Sequence, residues 1–437
     1  MKSGFNIKFG LALAAIVSLA VSCVSKGDIE LRPELAGTSS YIRLNPFDNI
    51  SENRKTVLIY IAGDNSLNVY AISNKASLLN GYAPSASDNE NILLLYYDIQ
   101  DAAPVLERIT AGSGSKLDEE ILKTYPDSLN SATSAVMNRV LQDAESLFPA
   151  KSNGLIIWSH GSGWLPEGYY YDPTKFSSQS SPASSSAKMA ESEDAFPSLD
   201  GNPQTEHVKS FAEHNGAEID ITELADALPQ HYEYIILDAC LMGDIEVAYE
   251  LKDKAGYLAF SPAEVLSDGL ILYSSAVKYL FDPGYSTAAA LQKVLYDGFE
   301  YYDTQTGIYR SSTVSLIDCS RLEALANSCK DIYAAHRSIL DAGLSESGIQ
   351  GYYRFNRHWF YDLDDVMSKI ATTSEHASFY AALNKAVIYK ASTPQFYLSF
   401  YINAYSGLGT YVYEPSNKYL NAFYKTLAWN KSVFLVP

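Results

Sequence analysis

The sequence predicts an α/β fold: a mostly parallel sheet with helices on both faces, plus a mixed α+β carboxy-terminal region. Three observations predict it. Apolar runs of strand length recur along the first part of the chain, and segments with helical spacing separate them. Two of the runs end in glycine-flanked polar turns, where an open α/β sheet binds its ligands.

Thr56–Ala62 is continuously apolar and breaks at Gly63-Asp64-Asn65, the pattern of a strand buried on both faces. Asn68–Asn80 has helical spacing, and Asn91–Tyr97 reads as a second strand. Asn130–Leu147 returns to helix and Gly154–Trp158 to strand. The alternation continues with helix Ile221–Leu228, strand Tyr234–Leu237, helix Ile245–Leu251 and strand Tyr257–Phe260. Beyond about Pro283 the spacing predicts longer helices, Thr287–Tyr302 and Arg321–Ala342, then a Tyr-rich portion with a hairpin of Gln395–Asn403 and Gly409–Glu414. Residues 52–282 are thus the α/β core, and 283–437 a helical and β region packed on it. Between Ser177 and Ser186, seven of ten residues are serine, so 169–215 has little to bury and reads as a flexible insertion.

Residues 1–23 read as an export signal. Lys2 and Lys8 precede an apolar run, Phe9–Ala20, that is too short to span a bilayer. Leu19-Ala20-Val21-Ser22-Cys23 resembles the lipobox of bacterial lipoproteins, which implies a lipid anchor on Cys23 and a location on the cell envelope. The competing expectation is simple secretion after cleavage near Ser22. Residues 24–51 are then a flexible linker. A formal charge of −19 excludes a nucleic-acid or anionic-membrane surface, which needs clustered Lys and Arg, so a membrane is met only through the anchor. The 34 Tyr are assigned to packing and carry no functional role.

Setting Cys23 aside leaves three of the four cysteines, an odd number, in an exported chain. Cys319 and Cys329 are candidates either for pairing or for buried free thiols, which singles out Cys240. It follows the strand Tyr234–Leu237 in Asp238-Ala239-Cys240-Leu241-Met242-Gly243. His160 follows the strand Gly154–Trp158 in Ser159-His160-Gly161-Ser162-Gly163. No other histidine lies in such a turn. If the two strands are neighbours, the thiol and imidazole share a crevice, which is what acyl transfer through a thioester requires. Gly161 lets the backbone approach closely, so its N–H and that of Cys240 are candidate oxyanion donors. One Cys and one His lack the ligand count for zinc, and no calcium loop is defined, so no metal or other cofactor is expected.

These motifs resemble the clostripain family of cysteine peptidases. His160-Gly161-Ser162-Gly163-Trp164, Asp238–Gly243 and Glu246-Val247-Ala248-Tyr249-Glu250 carry the likeness, with Tyr60–Leu67, Ser261-Pro262-Ala263-Glu264, Tyr361-Asp362-Leu363 and Ser406-Gly407-Leu408 in support. The resemblance implies a caspase-like fold, a Cys240–His160 dyad, and hydrolysis of peptide or protein substrates after a basic residue, often Arg. It places Asp238 in the primary specificity pocket. Asp268, in a turn after the next strand, is a second candidate, against a purely structural role. Self-cleavage in the insertion is expected by the same resemblance, with Lys175, Lys188 and Lys209 as basic positions, against an inert surface loop. Calcium dependence, seen in some members, stays open. The rival readings are another Cys-His amidase or acyl transferase, and a lipid-anchored, non-catalytic binding protein.

Overall fold

The computed structural model describes residues 54–114, 116–176, 218–354 and 357–437. Cys23, the 1–23 signal, the 24–51 linker and the insertion from 177, with Lys188 and Lys209, lie outside the described residues.

The core is one nine-stranded sheet of β1 (Lys55–Gly63), β2 (Asn91–Ile99), β3 (Val105–Thr110), β4 (Asp118–Thr124), β5 (Ser152–Trp158), β6 (Tyr232–Asp238), β7 (Ala255–Phe260), β8 (Thr313–Asp318) and β10 (Val387–Ser392). Their order across the sheet is β10-β8-β7-β6-β5-β1-β2-β3-β4. The strands β2, β1, β5, β6 and β7 are mutually parallel. β3 and β4 complete one edge and β8 and β10 the other, all antiparallel. The parallel strands are the apolar runs of the sequence, buried almost throughout.

Two layers of helices cover the sheet. α1 (Asn68–Leu79), α5 (Tyr273–Phe281) and α6 (Thr287–Asp303) pack in succession, as do α2 (Ser134–Leu147), α3 (Ile221–Ala227), α4 (Ile245–Leu251), α12 (Ala428–Val433), α7 (Leu322–Ala335) and α10 (Thr373–Ala386). The remaining short helices are α8 (Arg337–Asp341), α9 (Leu363–Ile370) and α11 (Lys418–Tyr424). Both α6 and α10 pack on β8 and β10, so the region after 283 extends the same sheet as well as covering it. Among the described residues no helix is long and apolar enough to cross a membrane.

Four expectations need correction. The α2 helix begins at Ser134, because Thr133 is extended and its hydroxyl accepts from the Val136 N–H. The helix expected over Arg321–Ala342 breaks at His336, which leaves helical geometry and binds Glu375 at 2.8 Å. The expected hairpin of Gln395–Asn403 with Gly409–Glu414 does not form. Tyr397 and Leu398, at φ of 50° and 53°, turn the chain early, so β11 (Gln395–Phe396) pairs with β12 (Phe400–Tyr401). β13 (Gly409–Thr410) pairs instead with β9 (Tyr361–Asp362), held by the Gly409 N–H on the Gly243 carbonyl at 2.8 Å. Finally, 169–176 is ordered structure: Tyr169 packs on Trp359, Phe176 and Tyr419, and Pro173–Phe176 is a single 3-10 turn. Cys319 and Cys329 are both free and buried, and burial pushes the Cys319 thiol up to about 12.

Candidate active site

β5 and β6 are parallel neighbours, with Trp158 paired to Asp238 at their carboxyl ends. The two chemical turns therefore leave the sheet side by side. Gly161 rests on the Cys240 peptide: a Cβ there would stand 2.1 Å from the Cys240 carbonyl oxygen and 2.9 Å from its nitrogen. Only glycine permits that approach. The Cys240 turn is fixed on its other side by β7's extension, through Leu241 N–H to Ala263 O at 2.9 Å and Gly243 N–H to Ser261 O at 2.8 Å. Leu241 itself is held at φ 60°, a strained setting for a branched side chain directly after the thiol.

The Cys240 sulfur accepts the Val265 N–H at 3.1 Å, and the thiol donates to the Val265 carbonyl with sulfur and oxygen 3.6 Å apart. His160 touches a third strand end as well. Its Nε2 lies 3.0 Å from the Ser66 hydroxyl, in the turn after β1, the other neighbour of β5. Ser66 belongs to a motif visible in the sequence, but its contact with His160 depends on the β1–β5 pairing, which single-sequence reading does not supply.

The two acidic candidates occupy different environments. Asp238 is fully buried; its Oδ1 accepts the Leu270 N–H at 2.7 Å and its Oδ2 the Tyr273 hydroxyl at 2.8 Å. Asp268 is exposed and accepts from the Tyr301 hydroxyl at 3.3 Å. Both carboxylates act electrostatically on the buried Tyr302 hydroxyl, which burial first and then these charges push well up. A cavity of about 10 Å³, room for a single water, is lined by Val265, Gly269 and Tyr302 among others.

The open crevice expected around the dyad is not what the structure holds. Cys240 is 1% exposed and His160 2%. The half-buried Tyr170 lies within electrostatic reach of Cys240, and its hydroxyl approaches Glu264 Oε1 at 3.5 Å. Glu264 also forms a buried ion pair with Arg354, through Nη2 at 3.1 Å and through Nε. Arg357 lies over the Tyr170 and Trp359 rings and donates to the Tyr171 carbonyl at 3.0 Å. Sequence reasoning missed the Tyr170–Glu264–Arg354 cluster, since its members come from three distant segments. Among the described residues no three His, Cys, Asp or Glu side chains converge as metal ligands.

Residues 59–181 and 197–430 match the family model Peptidase_C11, the clostripain family. An inactive zymogen C11 protease from Parabacteroides distasonis is similar over 88% of this chain and 99% of its own, with 30% identity and a TM-score of 0.69. A secreted C11 cysteine protease from Bacteroides thetaiotaomicron, solved with an irreversible peptide inhibitor, is similar over 87% of this chain and 98% of its own, with 26% identity and a TM-score of 0.68. No curated protein matches the chain in sequence. The matched stretches include both strand-end turns and most of the sheet, so this chain belongs to the clostripain family of cysteine peptidases.

Proposed function

We propose that this cysteine peptidase is an exported endopeptidase that cleaves after a basic residue, with Cys240 as nucleophile and His160 as base. The observation that carries the reading is the seating of Gly161 on the Cys240 peptide, which brings the two strand-end turns into one site. The sulfur attacks the scissile carbonyl while the imidazole takes its proton. The oxyanion forms beside the N–H groups of Gly161 and Cys240. His160 then protonates the leaving amine, and water hydrolyses the thioester by the same route in reverse.

For selectivity, Asp268 is the carboxylate within reach of a substrate guanidinium or ammonium, and Asp238 adds negative potential from behind it. Burial of the dyad supports latency in the intact chain, in keeping with a relative described as an inactive zymogen. Self-cleavage in the 169–215 insertion, at Lys175, Lys188 or Lys209, then opens the site; Lys175 is exposed in the Pro173–Phe176 turn. Export follows the amino-terminal signal and the relative described as secreted, with Cys23 as lipid anchor.

The test is a set of fluorogenic peptides varied at the residue before the scissile bond. Wild type should cleave Arg and Lys peptides, and Cys240→Ala should lose turnover by about three orders of magnitude or more. Gel analysis of both proteins reads processing; identical single bands would remove self-cleavage. Cleavage undiminished in Cys240→Ala would remove the nucleophile.

A further inference from the structure

Three strand ends meet at this site, and only two have a role so far. We propose that Ser66 is a positioning residue for His160, holding the Nε2 side of the ring so that Nδ1 exchanges the proton with Cys240. The assignment rests on the reading of His160 as the base.

The sheet order places β5 between β1 and β6, so the imidazole has the Ser66 turn on one flank and the Cys240 turn on the other. An imidazole's two nitrogens diverge, so one can be held while the other reacts. With Nε2 engaged at 3.0 Å by the Ser66 hydroxyl, the exchange with Cys240 falls to Nδ1. In the base-ready tautomer Nε2–H donates to Ser66 Oγ, and the Nδ1 lone pair takes the thiol proton. The products are a thiolate and an imidazolium whose Nε2–H still donates to the same oxygen. Ser66 therefore selects the tautomer before the transfer and stabilises the charge after it.

The turn that carries Ser66 is built to hold it. Asn65 is buried, donates to the Ala62 carbonyl at 3.0 Å and accepts the Leu67 N–H at 2.8 Å, clamping the residues on either side of Ser66. Ser159, next to His160, donates to the same Ala62 carbonyl at 3.1 Å, tying the two turns together. Gly63 is needed for this packing, since a Cβ there would stand 2.5 Å from the Ala71 Cβ. Ser66 is exposed, so its side chain adds little to the core, and truncating it leaves the fold intact.

The experiment uses the enzyme as it turns over, with Ser66→Ala and Ser66→Thr. Two readouts are followed against pH: turnover of an Arg peptide and alkylation of Cys240 by iodoacetamide. Loss of one hydrogen bond to a charged ring should lower kcat about tenfold with little change in KM. It should also narrow the pH window of fast alkylation, raising the acid limb and lowering the alkaline limb, because the thiolate–imidazolium pair is destabilised at both ends. Ser66→Thr, which keeps the hydroxyl, should restore both. A wild-type kcat and pH window in Ser66→Ala would overturn the assignment. So would a threonine that fails to rescue while the melting temperature is unchanged. His160→Ala is the separate control: if alkylation keeps its wild-type pH dependence there, the dyad itself falls and takes the Ser66 role with it.

Discussion

The backbone of Gly161 lies against that of Cys240 so closely that one added methyl would sit 2.1 Å from the Cys240 carbonyl oxygen. Backbone cannot step aside as a flexible side chain does, so Gly161→Ala must push the two turns apart. A shift of about 1 Å between base and nucleophile is worth on the order of a hundredfold in rate. Peptide turnover by Gly161→Ala should fall by at least that factor, with a loss of about 1–3 kcal/mol of stability visible as a lower melting temperature. Near-wild-type turnover would show that the contact has no part in the reaction.

The two candidate specificity acids should respond differently to the same substitution. Asp268 is exposed and makes one long hydrogen bond, so Asp268→Asn should leave the melting temperature unchanged while the preference for Arg and Lys peptides falls. Asp238 anchors the Leu270 N–H and the Tyr273 hydroxyl in the interior. Asp238→Asn should therefore destabilise the fold by about 1–3 kcal/mol in addition to any change in selectivity. Thermal melts and peptide panels on both variants separate the roles; an unchanged preference in Asp268→Asn with a lost one in Asp238→Asn would exchange them.

The parallel core was legible because its strands are uninterrupted apolar runs, and the dyad was legible because each member follows such a run. β3 and β4 were not. β3 carries Glu107 and Arg108, buried yet charged, which meet tertiary partners: Lys75 at 2.7 Å for Glu107 and the Asp88 carbonyl at 2.9 Å for Arg108; β4 is polar and mostly unburied, with Leu122 its one buried residue. A polar residue inside a short strand erases the pattern that single-sequence reading relies on. The closed state of the site was hidden for a related reason. Tyr170, Glu264 and Arg354 meet one another only after the sheet has assembled, and nothing in their local sequence marks them as neighbours.

That closure yields a prediction of its own. Tyr170 stands beside Cys240 and Glu264, and Arg357 pins its ring. In the intact Cys240 chain, Tyr170→Ala should speed iodoacetamide alkylation of the thiol about tenfold or more, since a large ring is removed from a thiol that is 1% exposed. After processing, wild type and variant should alkylate at similar rates. Equal rates in the two intact chains would mean that Tyr170 is not what shields the sulfur.

Beneath the Cys240 turn lies a carboxyl pair whose pH response can be worked out. Asp244 and Glu246 are fully buried, and burial first, then each other's charge for Asp244, pushes both carboxyls upward. Their surroundings divide the roles. Glu246 Oε1 accepts from the Thr410 hydroxyl at 2.8 Å, the Tyr411 N–H at 3.0 Å and the Tyr424 hydroxyl at 2.5 Å, so it is the better holder of negative charge. Asp244 is wedged between Gly163 and Gly409, where Cβ atoms would stand 2.6 and 2.0 Å from its oxygens, and among the described residues neither oxygen has a hydrogen-bond donor. It therefore keeps its proton in the fold. The unfolded chain releases that proton near the ordinary value of 3.8, so between there and the higher folded value the native state binds the extra proton. The stability it contributes is complete below the unfolded value and declines as pH rises. Asp244→Asn keeps the shape without the ionisation and should escape the decline: its melting temperature relative to wild type should rise between pH 5 and pH 8 by a few degrees, about 1 kcal/mol or more. Parallel pH–melting curves for the two proteins would mean that Asp244 is not held neutral in the folded state.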